Sequence, residues 1–349
     1  MKYRTVNIFF MTLICFILVL WAAPAVKGFE NQEIPGSRPE EAGNPTTVEV
    51  GIYVVDIYSI DSVNQTFDAN VFILLKWKDS RIPGAGKEAQ KILLNRVWNP
   101  NILIANESEN VRKTFPETVE VNTDGSVLYR QRYIGTFSQP LRLNDFPFDR
   151  HTFSIQFVAQ GFRNDEIKFI PYSEHFGTEI DDTAGIAKNI SLPDWTIIDC
   201  KAAMASYEIL PTLHIPGYKF QFTAERDSGH YIWKVILPLI LIVGMSWIVF
   251  WIHPSQSGTQ ISLAVTSMLT LIAYRFTIDL LVPRVSYMTR MDKFILLATI
   301  LVFLTLIQAN LTGRLYANNK ITVAENIDKF CRIFFPVIFI LVTLSTLAL

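Results

Sequence analysis

Two hydroxyl side chains, Ser262 and Thr266, stand four residues apart in an otherwise apolar stretch of the chain. The same spacing of four and three continues through Leu269, Ala273 and Phe276, which places five residues on one face of a helix. Hydroxyl oxygens can replace part of the water around an ion, whereas leucine and phenylalanine side chains cannot. Several copies of this helix around one axis would therefore form a water-filled pore with a polar inner half and an apolar neck.

Two ionisable residues, Arg275 and Asp279, follow at one end of the same helix. An ionisable side chain at the centre of a bilayer costs about 2.5–3.5 kcal/mol, so such residues usually face a bundle interior or an aqueous cavity. We therefore expect Asp279 to continue the pore-lining strip as a charged outer ring. The alternative is an ordinary membrane helix whose hydroxyl groups bond to their own backbone.

Charge and hydrophobicity divide the 349 residues into two parts. Residues 26–230 contain 28 acidic and 20 basic residues, a balance of 20 − 28 = −8, whereas residues 231–349 are largely hydrophobic. The acidic part offers no basic patch for nucleic acid. Placed outside a pore, it would concentrate cations at the entrance.

The amino terminus has the pattern of a secretory signal peptide. Lys2 and Arg4 precede an apolar run over 8–21, and Ala23-Pro-Ala25 supplies a cleavage site. We predict a signal peptide over 1–25, with a retained membrane anchor as the alternative. Residues 26–47 are rich in Pro, Gly, Glu and Asn and are predicted to form an extended or disordered lead-in.

Residues 48–230 show the period-two alternation of strands with one buried face. Long strand-like runs cover 48–59 and 65–78, and Asp124-Gly125 between two short apolar runs predicts a hairpin. Phe153 and Tyr218 each begin a run in which aromatic or aliphatic residues alternate with polar ones. About ten strands over 180 residues predict an immunoglobulin-like β-sandwich, with a helix plausible only over 88–94. Cysteine and histidine are scattered, so no metal site and no cofactor are predicted.

The second half contains four segments of the roughly 20 apolar residues that a spanning helix needs. They cover about 231–252, 259–282, 293–312 and 329–349, and the links between them are 253–258, 283–292 and 313–328. With an exported amino terminus, four spans return the carboxyl terminus to the outer side. We therefore predict a multi-pass protein of the cell (inner) membrane, surrounded by lipid, with the domain at 48–230 and the carboxyl terminus on the extracytoplasmic side.

An exported sandwich joined to four helices, the second of them amphiphilic, resembles the pentameric ligand-gated ion channels (the Cys-loop receptor superfamily), and most closely their bacterial members. The resemblance covers residues 48–349. It is carried by Trp98-Asn-Pro-Asn101, Phe146-Pro147-Phe148-Asp149, Arg226 before the first helix, Pro238 within it, and the stretches 262–270 and 282–289. Asn101 replaces the acid of the family's Trp-x-Pro-Asp segment. The cysteines that flank the second motif in animal receptors are absent.

The resemblance implies a homopentamer in which the strip from Ser262 to Phe276 lines the central pore. We expect rings of Leu269 and Phe276 to be the closed gate. The resemblance also implies a coupling site where the sandwich meets the membrane, with Arg226 held between two carboxylates. Its expected members are Asp61, Asp149, Arg226, Pro283 and Tyr287. The alternative for the charged residues is an ordinary surface ion pair.

The family binds its agonist between subunits in an aromatic box. The positions that correspond in this chain are Phe72, Gln160, Phe162, Tyr207 and Tyr218. Aromatic faces suit an ammonium ligand, but Ala105 and Gln160 stand where animal receptors have a tyrosine and a tryptophan, so the amine box is incomplete. With 25 phenylalanines in the chain, the alternative for any one aromatic residue is a place in the core.

The sequence contains few residues that indicate whether the pore selects cations or anions. The inner mouth at 257–260 lacks both the glutamate of cation-selective relatives and the Pro-Ala insertion of anion-selective ones. The Asp279 ring and the acidic domain favour monovalent cations, against the opposing charge of Arg275. The hypothesis is therefore a cation channel opened by a small-molecule agonist or by protons. A membrane-anchored binding module without conduction is the alternative, a transporter fits less well, and no arrangement of residues indicates an enzyme.

Overall fold

The computed structural model describes residues 37–39, 43–82, 88–172, 184–279, 282 and 285–348. The predicted signal peptide (1–25) and the predicted coupling residue Pro283 lie outside the described residues. The described part of the predicted lead-in (26–47) is bound to the domain that follows it. Arg81 donates to the Ser37 carbonyl (2.8 Å), and Arg38 donates to the Glu166 carbonyl (2.8 Å).

The described part of the amino-terminal domain contains fourteen strands where the sequence predicted about ten. The difference lies in short strands of three or four residues, which are too short to show an alternation. The strands are β1 Thr46–Asp61, β2 Thr66–Lys78, β3 Gln90–Leu93, β4 Ile102–Ile104, β5 Glu107–Lys113, β6 Thr118–Val121, β7 Ser126–Ser138, β8 Arg150–Ala159, β9 Ile167–Pro171, β10 Ala184–Ile186, β11 Trp195–Met204, β12 Tyr207–Leu210, β13 Leu213–Ile215 and β14 Gly217–Arg226.

These strands form two facing sheets and a hairpin. The larger sheet has the order β10-β1-β2-β7-β6-β3, with β5 also paired to β7 and β9 to β1. The smaller sheet has the order β11-β14-β8-β4, and β12 pairs with β13. Phe67 of the larger sheet lies 5.5 Å from Phe153 and 5.6 Å from Phe222 of the smaller one, measured between ring centroids. The predicted sandwich is thus present, with its aromatic core between the sheets.

The local predictions for this domain had mixed outcomes. The Asp124-Gly125 hairpin is confirmed: Gly125 has φ +79°, and its neighbours join β6 to β7. The helix considered over 88–94 is wrong, because Gln90–Leu93 is a strand paired with β6 and only Leu94–Arg96 makes a short 3₁₀ turn. This strand forms because its backbone groups pair with those of β6. Local sequence propensity cannot predict a pairing with a distant segment.

Four helices follow the sandwich, and each is long and apolar enough to cross a membrane. A hydroxyl–carboxylate capping box at Thr289 and Asp292 begins the third helix. The helices are α1 Gly229–Trp251, α2 Ser257–Ile278, α3 Arg290–Ala317 and α4 Ile321–Thr343.

The third link is much shorter than predicted, because α3 continues to Ala317 and α4 begins at Ile321. The hydrophobic windows missed the polar turns at the ends of both helices, which extend the helices beyond their apolar spans. Within the bundle, α2 turns the face formed by Gln260, Ala264, Ser267, Leu271 and Ile278 to its neighbours.

Candidate functional site

Five of the six predicted pore residues lie on a face of α2 that no other helix covers within the described part of the chain. Leu269 is 61% exposed and Phe276 is 70% exposed, while Ser262, Thr266 and Ala273 are also exposed. The buried face of the helix lies on the opposite side. A helix with large apolar side chains on its free face needs either lipid or further copies of the chain to cover them.

The helix backbone orients the Thr266 hydroxyl of this strip and the hydroxyl of the neighbouring Thr270. The Thr266 hydroxyl donates to the Ser262 carbonyl at 2.8 Å, and the Thr270 hydroxyl donates to the Thr266 carbonyl at the same distance. The backbone bonds considered in the alternative reading are therefore present. They use the hydroxyl proton of Thr266 and leave the lone pairs of its oxygen available, which suits contact with a cation.

The predicted ion pair between Asp149 and Arg226 is present at the end of the sandwich next to the membrane helices. Arg226 Nε donates to Asp149 Oδ1 at 2.8 Å, and Nη2 donates to Oδ2 at 3.0 Å. Both side chains are buried. The guanidinium carbon also lies 4.2 Å from the ring centroid of Trp195 and 5.0 Å from that of Phe146. Aromatic faces and two parallel hydrogen bonds thus fix the orientation of this arginine.

Burial works to raise the pKa of the Asp149 carboxyl, but it is outweighed. Hydrogen bonds from His151 and Arg226, together with the Arg226 charge, lower the pKa to about 2. His151 Nε2 lies 2.8 Å from Asp149 Oδ2, the same oxygen that Arg226 Nη2 contacts. The carboxylate therefore keeps its charge throughout the physiological range.

Asp61 does not belong to this cluster, contrary to the prediction. Its carboxylate accepts hydrogen bonds from the backbone N–H groups of Val63 and Asn64 and from the Asn64 side chain, all within 2.9 Å. The third bond of Arg226 goes instead to the hydroxyl of Ser62, at 2.8 Å. The Asp61 carboxylate is directed to the turn after β1, because it bonds to backbone groups of that turn. Ser62, the next residue, contacts Arg226 instead.

The loop that contains the 3₁₀ turn Leu143–Asp145 contacts the membrane domain directly. The Leu143 N–H donates to the Tyr287 hydroxyl at 2.8 Å, and Arg290 Nε donates to Asp145 Oδ1 at 2.8 Å. The Phe146 ring lies 4.9 Å from the Tyr231 ring of α1, measured between centroids. Tyr287 thus lies at the junction where the sequence placed it, and this part of the sandwich contacts both α1 and the link before α3.

Three of the predicted ligand residues share one edge of the sandwich. The Gln160 N–H donates to the Asn101 carbonyl (3.0 Å), and the Phe162 ring lies 5.8 Å from the Trp98 ring. The same loop reaches the β12–β13 hairpin, because Asn164 Nδ2 donates to the Ser206 hydroxyl at 2.8 Å. Ser206 immediately precedes the half-buried Tyr207, so Gln160, Phe162 and Tyr207 belong to one connected surface.

Phe72 lies elsewhere, on the outer face of the larger sheet. Its ring is 6.2 Å from that of Phe115, and it pairs across the strands with Tyr53 and Arg132. This separation within one chain is what a site between two subunits requires.

Tyr218 is a correction to the predicted ligand site. It is 0% exposed and pairs with Phe157 in the smaller sheet. Its strand alternates, and Tyr218 shares the inward face with Phe220 and Phe222, which are also buried. Tyr218 is therefore a residue of the sandwich core.

Sequence reasoning missed three residues of the junction: His151, Ser62 and Trp195. His151 could have been found, because Asp149 immediately precedes β8 and His151 lies within it, so that period two places both side chains on the same face. Trp195 gave no such signal. Its contact with Arg226 depends on the pairing of β11 with β14, which brings Trp195 opposite Arg226.

Comparison with known sequences agrees with this arrangement. The sequence model of the neurotransmitter-gated ion-channel ligand-binding domain matches residues 25–227, and that of the neurotransmitter-gated ion-channel transmembrane region matches residues 235–316. The chain therefore belongs to the neurotransmitter-gated ion channels. Members of this family are pentameric ligand-gated channels in the membrane and are not enzymes.

Among curated proteins, a proton-gated ion channel of Gloeobacter violaceus is 27% identical over 329 residues, which cover 93% of this chain and 88% of that protein. The glycine receptor beta subunits of Rattus norvegicus and Homo sapiens are each 29% identical over 303 residues, or 83% of this chain. This chain spans about 60% of the length of the rat receptor subunit.

Proposed function

We propose that five copies of this chain form a cation-selective channel whose pore is lined by Ser262, Thr266, Leu269, Ala273 and Phe276, with Asp279 at the outer end. The observation that carries the proposal is the exposure of this strip on the free face of α2. Five symmetric copies would remove the Leu269 and Phe276 side chains from lipid and place them around one axis.

The preference for cations rests on charge and on hydroxyl orientation. The hydroxyl proton of Thr266 is already donated to the backbone, so this ring presents oxygen lone pairs to a permeating ion. Asp279 adds five carboxylates at the outer end, and the acidic sandwich raises the local cation concentration. Arg275, one turn earlier, opposes this field, so the selectivity is set by the balance of the two rings.

We further propose that a small molecule or protons act on the sandwich. The small-molecule site would lie between subunits, with Gln160, Phe162 and Tyr207 on one chain and Phe72 on the next. The signal would leave the sandwich through Asp149 and Arg226 and reach the membrane through Tyr287. Pro283, in the same link, is proposed as part of this junction. The domain at 48–230 and the carboxyl terminus would lie on the extracytoplasmic side of the inner membrane, after removal of residues 1–25.

The experiment is to reconstitute the purified protein in planar bilayers and to screen agonists and a series of external pH values. Unitary currents whose reversal potential follows the sodium gradient are expected. Reversal potentials that follow chloride would contradict cation selectivity and leave the pore intact. If no stimulus produces unitary currents, while a ligand still binds the sandwich, the chain is a membrane-anchored binding module.

A further inference from the structure

Three polar side chains are buried together between the inner ends of the membrane helices. They are Gln260 of α2 (0% exposed), Gln308 of α3 (6%) and Asp328 of α4 (1%), and they are called here the inner polar cluster. The first turns of α4 are polar and lie before its apolar span. Asp328 belongs to these polar turns, but its side chain is on the face of α4 that packs against the other helices. A buried carboxyl among helices is costly unless its hydrogen bonds are satisfied, so this position is not an incidental one.

The Asp328 carboxyl of α4 contacts α2 and α3 through two amide groups. Gln308 Nε2 donates to Asp328 Oδ1, and Gln260 Nε2 lies 3.4 Å from Asp328 Oδ2. The same Gln260 nitrogen donates to the Ile252 carbonyl at 2.7 Å, just beyond the end of α1. Through one residue, α4 is therefore connected to the base of the proposed pore helix and to the link that leads into it.

The neighbouring arginine of α4 directs its hydrogen bond away from the carboxyl. Arg332, one turn further along α4, donates through Nε to the Phe250 carbonyl at 2.9 Å, and its guanidinium carbon lies 5.7 Å from the Trp251 ring centroid. The Asp328 carboxylate therefore accepts its hydrogen bonds from the two glutamine amides, and Gln260 is also held by the Ile252 carbonyl.

The two glutamines of the cluster bond to the protein through their amide nitrogens. Within the part of the chain that the structure describes, Gln260 Oε1 and Gln308 Oε1 are buried without a hydrogen-bond partner. Buried acceptors without a protein partner are uncommon in folded proteins. The base of α2 is also tightly packed, since a Cβ added at Gly313 of α3 would lie 2.7 Å from Ser257 Cβ.

We propose that Asp328 is a positioning residue that holds the inner end of α2 away from the pore axis. The proposal rests on the pore described under Proposed function. Gln260 and Ser262 are two residues apart, which is roughly 200° around a helix of 3.6 residues per turn. A side chain that draws Gln260 towards α4 therefore draws Ser262 outwards and keeps the inner mouth wide.

The test measures the accessibility of Ser262→Cys in a background in which Cys15, Cys200 and Cys331 are alanine. The protein is reconstituted in lipid nanodiscs, and the rate of modification by a small cationic methanethiosulfonate is followed by mass spectrometry. Asp328→Leu is expected to slow the modification about fivefold, the size of effect typical of coupled neighbours. Gln260→Leu should slow it similarly, and the double variant should be no slower than either alone.

Two further variants keep the result interpretable. Asp328→Asn has nearly the same shape, so it should assemble, and it should slow the modification in the same direction by a smaller factor. Glu325 lies on the same helix, is half-buried and contacts His253 at 3.3 Å, and Glu325→Gln should leave the rate unchanged. Single-channel conductance should fall in the order of the modification rates.

The outcomes separate the two proposals. An unchanged or faster rate in both Asp328 variants, with Ser262→Cys readily modified, overturns the positioning role and leaves the pore assignment intact. A Ser262→Cys thiol that is unreactive in every variant, with or without agonist, overturns the pore assignment and the positioning role with it.

Discussion

Arg226 meets Asp149 side-on, with Nε and Nη2 opposite the two carboxylate oxygens at 2.8 and 3.0 Å. The backbone repeats the connection, because the Arg226 N–H donates to the Asp149 carbonyl at 3.1 Å. One residue ends β14 just before α1, and the other ends the loop that contacts Tyr287 and Tyr231. The pair therefore fixes the two exits from the sandwich to the membrane in one orientation.

Replacing Asp149 with asparagine should destabilise the protein and suppress gating. The substitution leaves the Arg226 charge buried without its partner, and breaking a buried pair in this way typically costs about 3–5 kcal/mol. We expect a clearly lower thermal unfolding temperature in detergent and little or no agonist-evoked current from the protein that does assemble.

Asp145→Asn is the matched control for stability. Its pair with Arg290 has the same 2.8 Å separation, but the Asp145 side chain is 58% exposed. Exposed pairs contribute about 0–1 kcal/mol, so the unfolding temperature should hardly change. Equal losses in the two variants would show that the buried pair has no special role.

Acid should weaken this junction only well below the physiological range. The pKa of Asp149 is lowered to about 2, against about 3.9 for an aspartate in an unfolded chain. A lowered pKa adds stability that is complete above the unfolded value and is lost as the pH falls towards the folded one. The difference in unfolding temperature between the natural protein and Asp149→Asn should therefore be constant down to about pH 4 and shrink below it.

This pH series also bears on proton activation. If the channel opens in mild acid, protonation of Asp149 is not the cause, because its carboxylate remains charged there. A difference in unfolding temperature that already shrinks between neutral and mildly acidic pH would contradict the lowered pKa and make Asp149 itself a proton sensor.

The parts of the fold that follow from local pattern were predictable. Alternation at Phe153 indicated a buried strand face, and the length of the apolar stretches indicated the four helices. The short strand Gln90–Leu93 was not predictable, because it exists through its pairing with β6. The short third link was missed for a similar reason, since the polar ends of α3 and α4 carry no hydrophobic signal.

The site was predictable where one helix or strand positions a residue and unpredictable where tertiary packing does. The strip from Ser262 to Phe276 needs only the helical period. The choice between Asp61 and Ser62 as the partner of Arg226 depends on how the turn after β1 folds. Asp328 was not predictable for the same reason. It is one of several charged residues at the start of α4, and only the packing of α2, α3 and α4 shows that it is buried.

Substituting threonine for Leu269 should make the channel leak and respond to less agonist. A narrow leucine ring excludes water, and a hydroxyl ring allows the neck to remain hydrated when narrow. Resting current in bilayers should rise and the agonist concentration for half-activation should fall. Leu263→Thr, a substitution of a half-buried leucine about 120° around α2 from Leu269, is the control and should change neither. Equal effects at both positions would contradict the assignment of Leu269 as a gate.

Phe72→Leu should weaken the response to a small-molecule agonist without changing the open channel. An aromatic contact is worth about 0.5–1.5 kcal/mol beyond its buried area, so the half-activating concentration should rise about two- to tenfold. Tyr58→Leu tests an exposed aromatic residue on β1 of the same sheet and should leave that concentration unchanged. Single-channel conductance should be the same in both variants. A channel opened by protons alone would show no shift with Phe72→Leu.

Neutralising the outer charges of α2 should move ion selectivity in opposite directions. Asp279→Asn removes five carboxylates from the proposed outer ring and should lower the sodium conductance and the sodium-to-chloride permeability ratio. Arg275→Gln removes the opposing charges and should raise both.

Because the charges act through an aqueous mouth, the changes should be largest in dilute salt and fade near 1 M, where the screening length is about 3 Å. Reversal potentials in a salt gradient measure the ratio. Identical potentials in both variants and the natural protein would place these residues away from the permeation path.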